Sequence, residues 1–119
     1  MKLDSVRILH IYEETLFLTE TYSNLSYDEF LQNRVLKLSA QKSLEIIGEA
    51  ANSISNTLKE KYPDVPWDIM RGLRNRLTHR YFDVSWPIVW EIIQTDVPPL
   101  KIQIEHIIEE DGVVAKVQA

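Results

Sequence analysis

Residues 34–61, RVLKLSAQKSLEIIGEAANSISNTLKEK, have the most regular apolar pattern in the sequence. The apolar residues of this stretch recur in steps of 4, 4, 3, 4, 3 and 4, at Leu36, Ala40, Leu44, Ile47, Ala51, Ile54 and Leu58. This spacing is typical of an α-helix that packs against other elements along its whole length. It predicts one long helix to about Tyr62, because Pro63 and Pro66 follow and proline does not continue a helix.

The residues before this helix predict two more helices. The first runs from about Asp4 to Tyr22, with Asp4 as its candidate N-cap. A turn follows, and Ser26 with Glu29 has the spacing of a capping box. This box predicts a short helix around Tyr27 to Asn33.

The residues after Pro66 predict another helix, from Trp67 to about Arg80, that buries Met70, Leu73 and Leu77. Asp83 or Ser85 can cap the following helix, because Pro87 is well placed in a first turn. The apolar residues of this helix are Ile88, Val89, Ile92 and Ile93.

Asp96, Pro98 and Pro99 predict a break before the last helix. That helix has the apolar residues Leu100, Ile104, Ile107 and Ile108, and Gly112 is its predicted stop. We therefore expect an all-α, up-and-down bundle of four to five helices. One domain spans residues 1–119, with a core at about 4–110 and a tail at 111–119.

Composition narrows the class of protein. The chain has 119 residues, of which 45% are hydrophobic and 26% are charged, as in ordinary globular proteins. Cysteine is absent, which excludes disulfides and thiolate metal sites and agrees with a cytoplasmic location. No apolar stretch is long enough for a membrane span, and charges at Lys2, Asp4 and Arg7 argue against a signal peptide. Three scattered histidines make a zinc site unexpected, and no cofactor is predicted.

The distribution of charge points to an anionic ligand. The net charge is −5, yet the segment from Arg71 to Arg80 has four arginines and no acidic residue. A chain of this overall charge repels nucleic acid as a whole. Because guanidinium groups match phosphate and carboxylate, we expect this segment to bind an anion.

The segment RNRLTHRYF, residues 74–82, has the residue types of a phosphodiester-cleaving site. With Leu73 and Leu77 inward, one flank of the helix presents Arg71, Arg74, Asn75, Thr78 and His79. A histidine titrates near neutral pH and can transfer the proton of a ribose 2′-hydroxyl or of the leaving oxygen. A fixed arginine stabilises the extra negative charge on the phosphate, so such a site needs no metal, and the product ends in a 2′,3′-cyclic phosphate.

The same residues also allow structural explanations. Arginines can simply solvate a helix face, and His79 can stabilise the C-terminal end of the helix as a cation. Tyr81 can pack against the following helix together with Phe82. Residue types and spacing alone leave these alternatives open.

Ordered motifs extend the interpretation to the whole chain. Arg74, His79 and Tyr81 resemble the R-x4-H-x-Y motif of HEPN-domain ribonucleases. The surrounding motifs resemble HepT-like toxins, in order: residues 46–50 (IIGEA), 62–63 (YP), 65–67 (VPW), 74–77 (RNRL), 81–82 (YF), 89–90 (VW) and 96–100 (DVPPL). The resemblance covers about residues 4–108.

This resemblance implies a metal-independent ribonuclease toxin that acts as an α-helical homodimer with a composite basic cleft. Its partner would be an MntA-type nucleotidyltransferase antitoxin that attaches AMP to the motif tyrosine. Arg74 and His79 would then be catalytic, and Tyr81 would be the modified residue. The supporting RNA-binding residues would be Arg71, Asn75, Arg76, Thr78 and Arg80. Arg80 stands where the family often has glycine, which adds charge at the cleft.

Two other functions remain open from the sequence. One is a non-catalytic HEPN module that binds nucleotide or a partner protein, and the other is a helical adaptor for an acidic partner. Outside the motif, Gly48 is expected to allow close helix packing, and Glu49 either holds a motif arginine or is solvated. His10 is expected at the edge of the core, His106 in a surface ion pair, and the tryptophans Trp67, Trp86 and Trp90 in the core or a dimer interface.

Overall fold

The computed structural model describes residues 2–77 and 83–113, and the regular elements in these ranges are helical. The helices are α1 (Lys2–Tyr22), α2 (Tyr27–Gln32), α3 (Arg34–Ser53), α4 (Asn56–Lys61), α5 (Trp67–Arg71), α6 (Leu73–Leu77), α7 (Trp86–Glu91) and α8 (Val97–Glu110). A π-helical turn, Ile92–Asp96, joins α7 to α8. The prediction of an all-α fold is confirmed, but the described ranges have more and shorter helices than the four to five predicted, because breaks divide two of the predicted ones. Within the described ranges, no helix is long and apolar enough to cross a membrane.

Helices α1 and α3 form an antiparallel hairpin, and hydrogen bonds from polar side chains join its two arms at three positions. The Asp4 carboxylate accepts hydrogen bonds from the Ser55 amide at 3.0 Å and the Ser55 hydroxyl at 2.5 Å, just past the end of α3. Midway along, the Ser43 hydroxyl donates to Glu14 Oε1 at 2.7 Å. At the far end, the Tyr22 hydroxyl donates to the Leu36 carbonyl at 2.7 Å. The apolar side chains of α3 therefore pack against α1 along the full length of both helices.

The Asp4–Ser55 contact corrects two predictions. Asp4 is not the N-cap of α1 but a buried residue of its first turn. The predicted long helix is also interrupted, because Ile54 is extended with ψ of 141° and Ser55 begins α4 by accepting a hydrogen bond from the Leu58 amide. Periodicity did not reveal the break, since Ile54 remains buried on the same apolar face.

An aromatic cluster closes the end of the hairpin. The predicted capping box is present, since Ser26 and Glu29 exchange hydrogen bonds at the start of α2. This cap fixes Phe30, whose ring centroid lies 6.1 Å from that of Trp86 and 5.2 Å from that of Trp90. The predicted core role of these tryptophans is confirmed, and Trp67 is buried as well.

The predicted helix from Trp67 to Arg80 is divided into α5 and α6 at Gly72, and residues 78–80 lie outside the described ranges. The helical course continues through the division, because the Gly72 amide bonds to the Asp68 carbonyl and the Arg76 amide bonds to the Gly72 carbonyl. Met70, Leu73 and Leu77 are buried, as predicted.

The predicted break at Asp96, Pro98 and Pro99 is wrong. In the π turn the Val97 amide donates to the Ile92 carbonyl, five residues back, and the chain continues directly into α8. Both prolines lie in the first turn of α8, where their missing N–H groups cost little. Ser85 is the N-cap residue of α7, and α8 ends shortly before Gly112, whose φ is +66°.

Candidate functional site

The arginine-rich segment is anchored by apolar side chains and exposes its polar ones. Leu73 and Leu77 are 5% and 1% exposed and fix the orientation of α6. Arg71, Arg74 and Asn75 are exposed, as the helical wheel predicted, and Arg76 is exposed as well. The other predicted site residues, Thr78, His79, Arg80 and Tyr81, lie outside the described residues.

Gly48 of α3 allows α5 and α6 to pack closely on the core. A Cβ atom added at Gly48 would lie 2.9 Å from the Met70 carbonyl oxygen, which is too close for any side chain. The predicted packing role of this glycine is therefore confirmed. The arginine-rich segment is positioned by a contact between a helix backbone and α3.

The three described arginines of this segment, Arg71, Arg74 and Arg76, differ in whether a carboxylate pairs with them. Arg71 forms an ion pair with Asp68 at 3.3 Å, and Arg76 forms one with Asp96 at 3.6 Å. Among residues 2–77 and 83–113, no carboxylate pairs with Arg74. The guanidinium of Arg74 is thus exposed and available to an anionic ligand.

Arg74 and Arg76 lie on opposite flanks of α6. Each residue of an α-helix turns the side-chain direction by about 100°, so positions two apart point roughly 160° apart. The Arg76 flank borders a groove of about 480 Å³ between α5, α6, the π turn and α8. We call it the α8 groove. Arg74 therefore lies on the flank that faces away from α8.

Sequence reasoning missed this groove. Its polar rim includes Arg76, Thr95, Asp96 and Gln103, and its walls are mainly apolar. The sequence places Asp96 in a predicted helix break and in the DVPPL motif, but nothing in the local pattern shows that it faces a residue 20 positions earlier. A contact of this kind depends on how two helices pack and leaves no signal in periodicity.

The remaining candidates have structural surroundings. Glu49 is exposed and borders a surface depression together with Arg7 and His10, and within the described part of the chain it forms no ion pair with an arginine of the segment. His106 pairs with Glu110 at 2.7 Å, which confirms the predicted surface ion pair. In the same part of the chain, no group of three or more His, Asp or Glu side chains is arranged to hold a metal ion.

Comparison with known proteins identifies the family. The model of the family described as "Ribonuclease HepT-like" matches residues 11–107, which is most of the chain. The chain belongs to the HepT-like ribonuclease family. The resemblance inferred from the ordered motifs is thereby confirmed, and the matched range includes the whole arginine-rich segment.

Several curated relatives cover most of the chain at moderate identity. A Caldanaerobacter subterraneus subsp. tengcongensis protein, named Putative RNase TTE0752, is 36% identical over 93% of this chain and 99% of its own length. The Methanocaldococcus jannaschii protein named Putative RNase MJ1380 is 40% identical over 72% of this chain and 79% of its own. Thermococcus cleftensis has a Probable ribonuclease HepT that is 32% identical over 79% of this chain and 86% of its own. No solved structure matches the chain. Family and relatives together support ribonuclease activity for this HepT-like protein.

Proposed function

We propose that this HepT-like protein is a metal-independent endoribonuclease and the toxic component of a toxin–antitoxin pair. The observation that supports the catalytic part most directly is Arg74. Its guanidinium is exposed and unpaired within the described residues, on a helix that a buried leucine pair and the Gly48 contact hold in place. A positioned cation without a carboxylate partner suits an anionic substrate.

In the proposed step, the 2′-hydroxyl of a ribose attacks the adjacent phosphorus and the bond to the 5′-oxygen of the next nucleotide breaks. His79 transfers the proton, from the attacking hydroxyl or to the leaving oxygen. Arg74 stabilises the added negative charge on the phosphate. The products are a 2′,3′-cyclic phosphate and a free 5′-hydroxyl, so atoms and charge balance without a metal.

Cleavage of a single-stranded RNA in the presence of EDTA tests this mechanism. Wild-type protein is expected to cleave and to leave 2′,3′-cyclic phosphate ends, whereas His79→Ala is expected to lose activity by roughly 10² or more. His106→Ala is the matched control, because His106 lies in a surface ion pair with Glu110. Chelator-sensitive cleavage, or full activity of His79→Ala, would contradict the mechanism.

The proposed active form is a homodimer that brings two arginine-rich segments to a shared groove. An acidic chain of net charge −5 gathers positive field more readily from two such segments than from one. Exposed apolar side chains support association, because four of the six large ones in the described residues lie on α1 and α3, namely Leu3, Phe17, Val35 and Leu38. We call these four side chains the apolar face.

Sedimentation tests the dimer. Leu38→Lys is expected to shift the protein toward monomer and to lower RNA cleavage, because it places a charge on the apolar face. Ile102→Lys is the matched control, since Ile102 is similarly exposed but lies on α8. An active monomeric wild type at micromolar concentration would contradict the proposal.

The proposed antitoxin is an MntA-type nucleotidyltransferase that attaches AMP to Tyr81. The tyrosine oxygen attacks the α-phosphorus of ATP and pyrophosphate leaves. The added phosphate competes with RNA for the arginines, and the nucleoside sterically blocks the groove that the two arginine-rich segments of the dimer share. Intact-mass analysis after co-expression is expected to show an AMP increment that Tyr81→Phe abolishes. An increment that persists in Tyr81→Phe would place the modification elsewhere.

A second candidate function is a non-catalytic HEPN module that binds nucleotide or a partner protein. The α8 groove supports this binding function, because the groove is large enough for a small ligand. RNA cleavage by the wild type, lost in His79→Ala and retained in His106→Ala, distinguishes the enzyme from the module.

A further inference from the structure

The α8 groove has the size and walls of a small-ligand site, and the proposed cleavage step does not use it. Its volume of about 480 Å³ is within the range of ligand pockets, about 300–1,000 Å³. Apolar residues form most of its walls: Leu44, Ile47, Ile69, Met70, Leu73, Ile92 and Leu100. The Ile69 side chain is 59% exposed, so a flat ligand can pack against its apolar surface.

Opposite charges face each other at one end of this groove. Arg76 Nη1 lies 3.6 Å from Asp96 Oδ2, and the two side chains are 42% and 50% exposed. Exposed ion pairs of this kind contribute little to stability, so a ligand can separate the two groups at small cost. The groove then offers a carboxylate that accepts hydrogen bonds and a guanidinium that binds phosphate.

The side chains that can accept hydrogen bonds at the rim of the groove include two residues of the π turn. Thr95 and Asp96 are the last residues but one and the last of the turn Ile92–Asp96, and both are exposed at the rim. π turns inside helices occur frequently at functional sites. This feature is independent of the groove's volume and points to the same location.

We infer that the α8 groove binds one unstacked guanine nucleotide of the RNA substrate. This inference rests on the proposed ribonuclease function. Asp96 accepts hydrogen bonds from the two adjacent donors of the guanine Watson–Crick edge, Arg76 binds the phosphate of a neighbouring nucleotide in the same strand, and the base lies against Ile69. Unstacked RNA bases are bound in this manner, through their edges and by apolar contact. Guanine is selected because it alone among the four bases presents two adjacent donors on that edge to match a carboxylate.

The groove lies within reach of the proposed cleavage site. Arg74 and Arg76 occupy opposite flanks of α6, and the exposed Asn75 lies between them. A single strand that crosses this helix, which is about 10–12 Å wide with its side chains, contacts both arginines. The base in the groove is therefore close in sequence to the bond that is cleaved.

Titration with mononucleotides, followed through the isoleucine methyl signals in NMR spectra, tests the binding. GMP is expected to shift the Ile69 and Ile92 signals and to bind roughly tenfold or more tighter than AMP, CMP and UMP. Asp96→Asn replaces one acceptor oxygen by a donor and is expected to abolish this preference. Asp28→Asn, an exposed aspartate of α2, is the control and is expected to preserve it.

Cleavage of single-stranded RNAs with one guanine at a defined position provides the second arm. Wild-type cleavage near the guanine, with a relaxed pattern in Asp96→Asn, supports the inference. Cleavage without any guanine dependence, with no GMP shift in the groove, overturns it and leaves the ribonuclease function standing. Selective GMP binding without RNA cleavage overturns the RNA version and the proposed ribonuclease together, and assigns the groove to free guanine nucleotides.

Discussion

The α1–α3 hairpin and the α5–α6 segment place their polar residues in opposite ways. In the hairpin, polar side chains such as Asp4 and Ser43 are buried and paired within the fold. In the segment, apolar anchors and a backbone contact hold the helix, while the arginines are exposed. Polar groups of the hairpin therefore stabilise the protein, whereas those of the segment lie at its surface, where the proposed function places the RNA. Substitutions in the two regions should separate stability from activity.

The largest expected effect is that of Arg74→Ala on RNA cleavage. Removing a positioned donor to the transition state costs about 10²–10³ in rate. Stability is expected to change by no more than about 0.5 kcal/mol, because the side chain is exposed. RNA cleavage assays and urea unfolding measure the two quantities. Arg34→Ala, at an exposed arginine of α3, is the control and should leave both unchanged.

Asp4→Ala tests the hairpin and is expected to act in the opposite sense. The free energy of unfolding should fall by about 1–3 kcal/mol, because the partly buried amide and hydroxyl of Ser55 lose the acceptor that the buried Asp4 provides. Urea unfolding measures this loss, with the exposed Asp28→Ala as control. The cleavage rate per folded molecule should stay unchanged, and a strong loss of activity in the folded variant would show that the two regions are coupled.

Gly48→Ala tests the contact that joins the two regions. The new Cβ would lie 2.9 Å from the Met70 carbonyl, so α5 must shift, at a net cost of about 1–2 kcal/mol. Both stability and RNA cleavage are expected to fall. Gly72→Ala is the matched control, because its nearest contact is an ordinary 3.5 Å and its φ of −84° suits alanine. This control is expected to be neutral or stabilising by up to about 1 kcal/mol.

The smallest expected effect concerns Tyr22 at the closed end of the hairpin. Tyr22→Phe removes a hydrogen bond to Leu36 and should cost about 1 kcal/mol at neutral pH. Burial raises the pKa of Tyr22 to about 12 from 10.0. Because the folded state holds the proton longer, stability should fall as pH rises from about 10 to 12, and less so in Tyr22→Phe. Unfolding across this pH range, compared with Tyr12→Phe, is the measurement.

The sequence predicted the elements that depend on local signals. The Ser26–Glu29 capping box and the buried faces of α3 and α6 all follow from residues a few positions apart. The breaks at Ser55 and Gly72 do not follow from such local signals. At Ser55 the interruption depends on Asp4, 51 positions earlier, which local propensity cannot register.

The candidate site shows the same division. The helical wheel predicts Arg71, Arg74 and Asn75 on the exposed side of α5 and α6, since the buried Leu73 and Leu77 determine the orientation of this stretch. It did not reveal that Arg76 meets Asp96 across a groove, because that contact requires α6 and the π turn to be side by side. The roles of His79 and Tyr81 stay predictions.

The π turn between α7 and α8 sets the angular position of α8. Its closing hydrogen bond spans one residue more than an α-helical turn, here from Val97 to Ile92. Because the wider turn absorbs this additional residue, deleting one residue there would favour α-helical hydrogen bonds and leave α8 near its present angle. A deletion within the first turn of α8 would instead rotate Leu100 and Ile104 together by about 100° away from the core. The π turn is therefore the place between these two helices where a change of one residue in length disturbs the packing least.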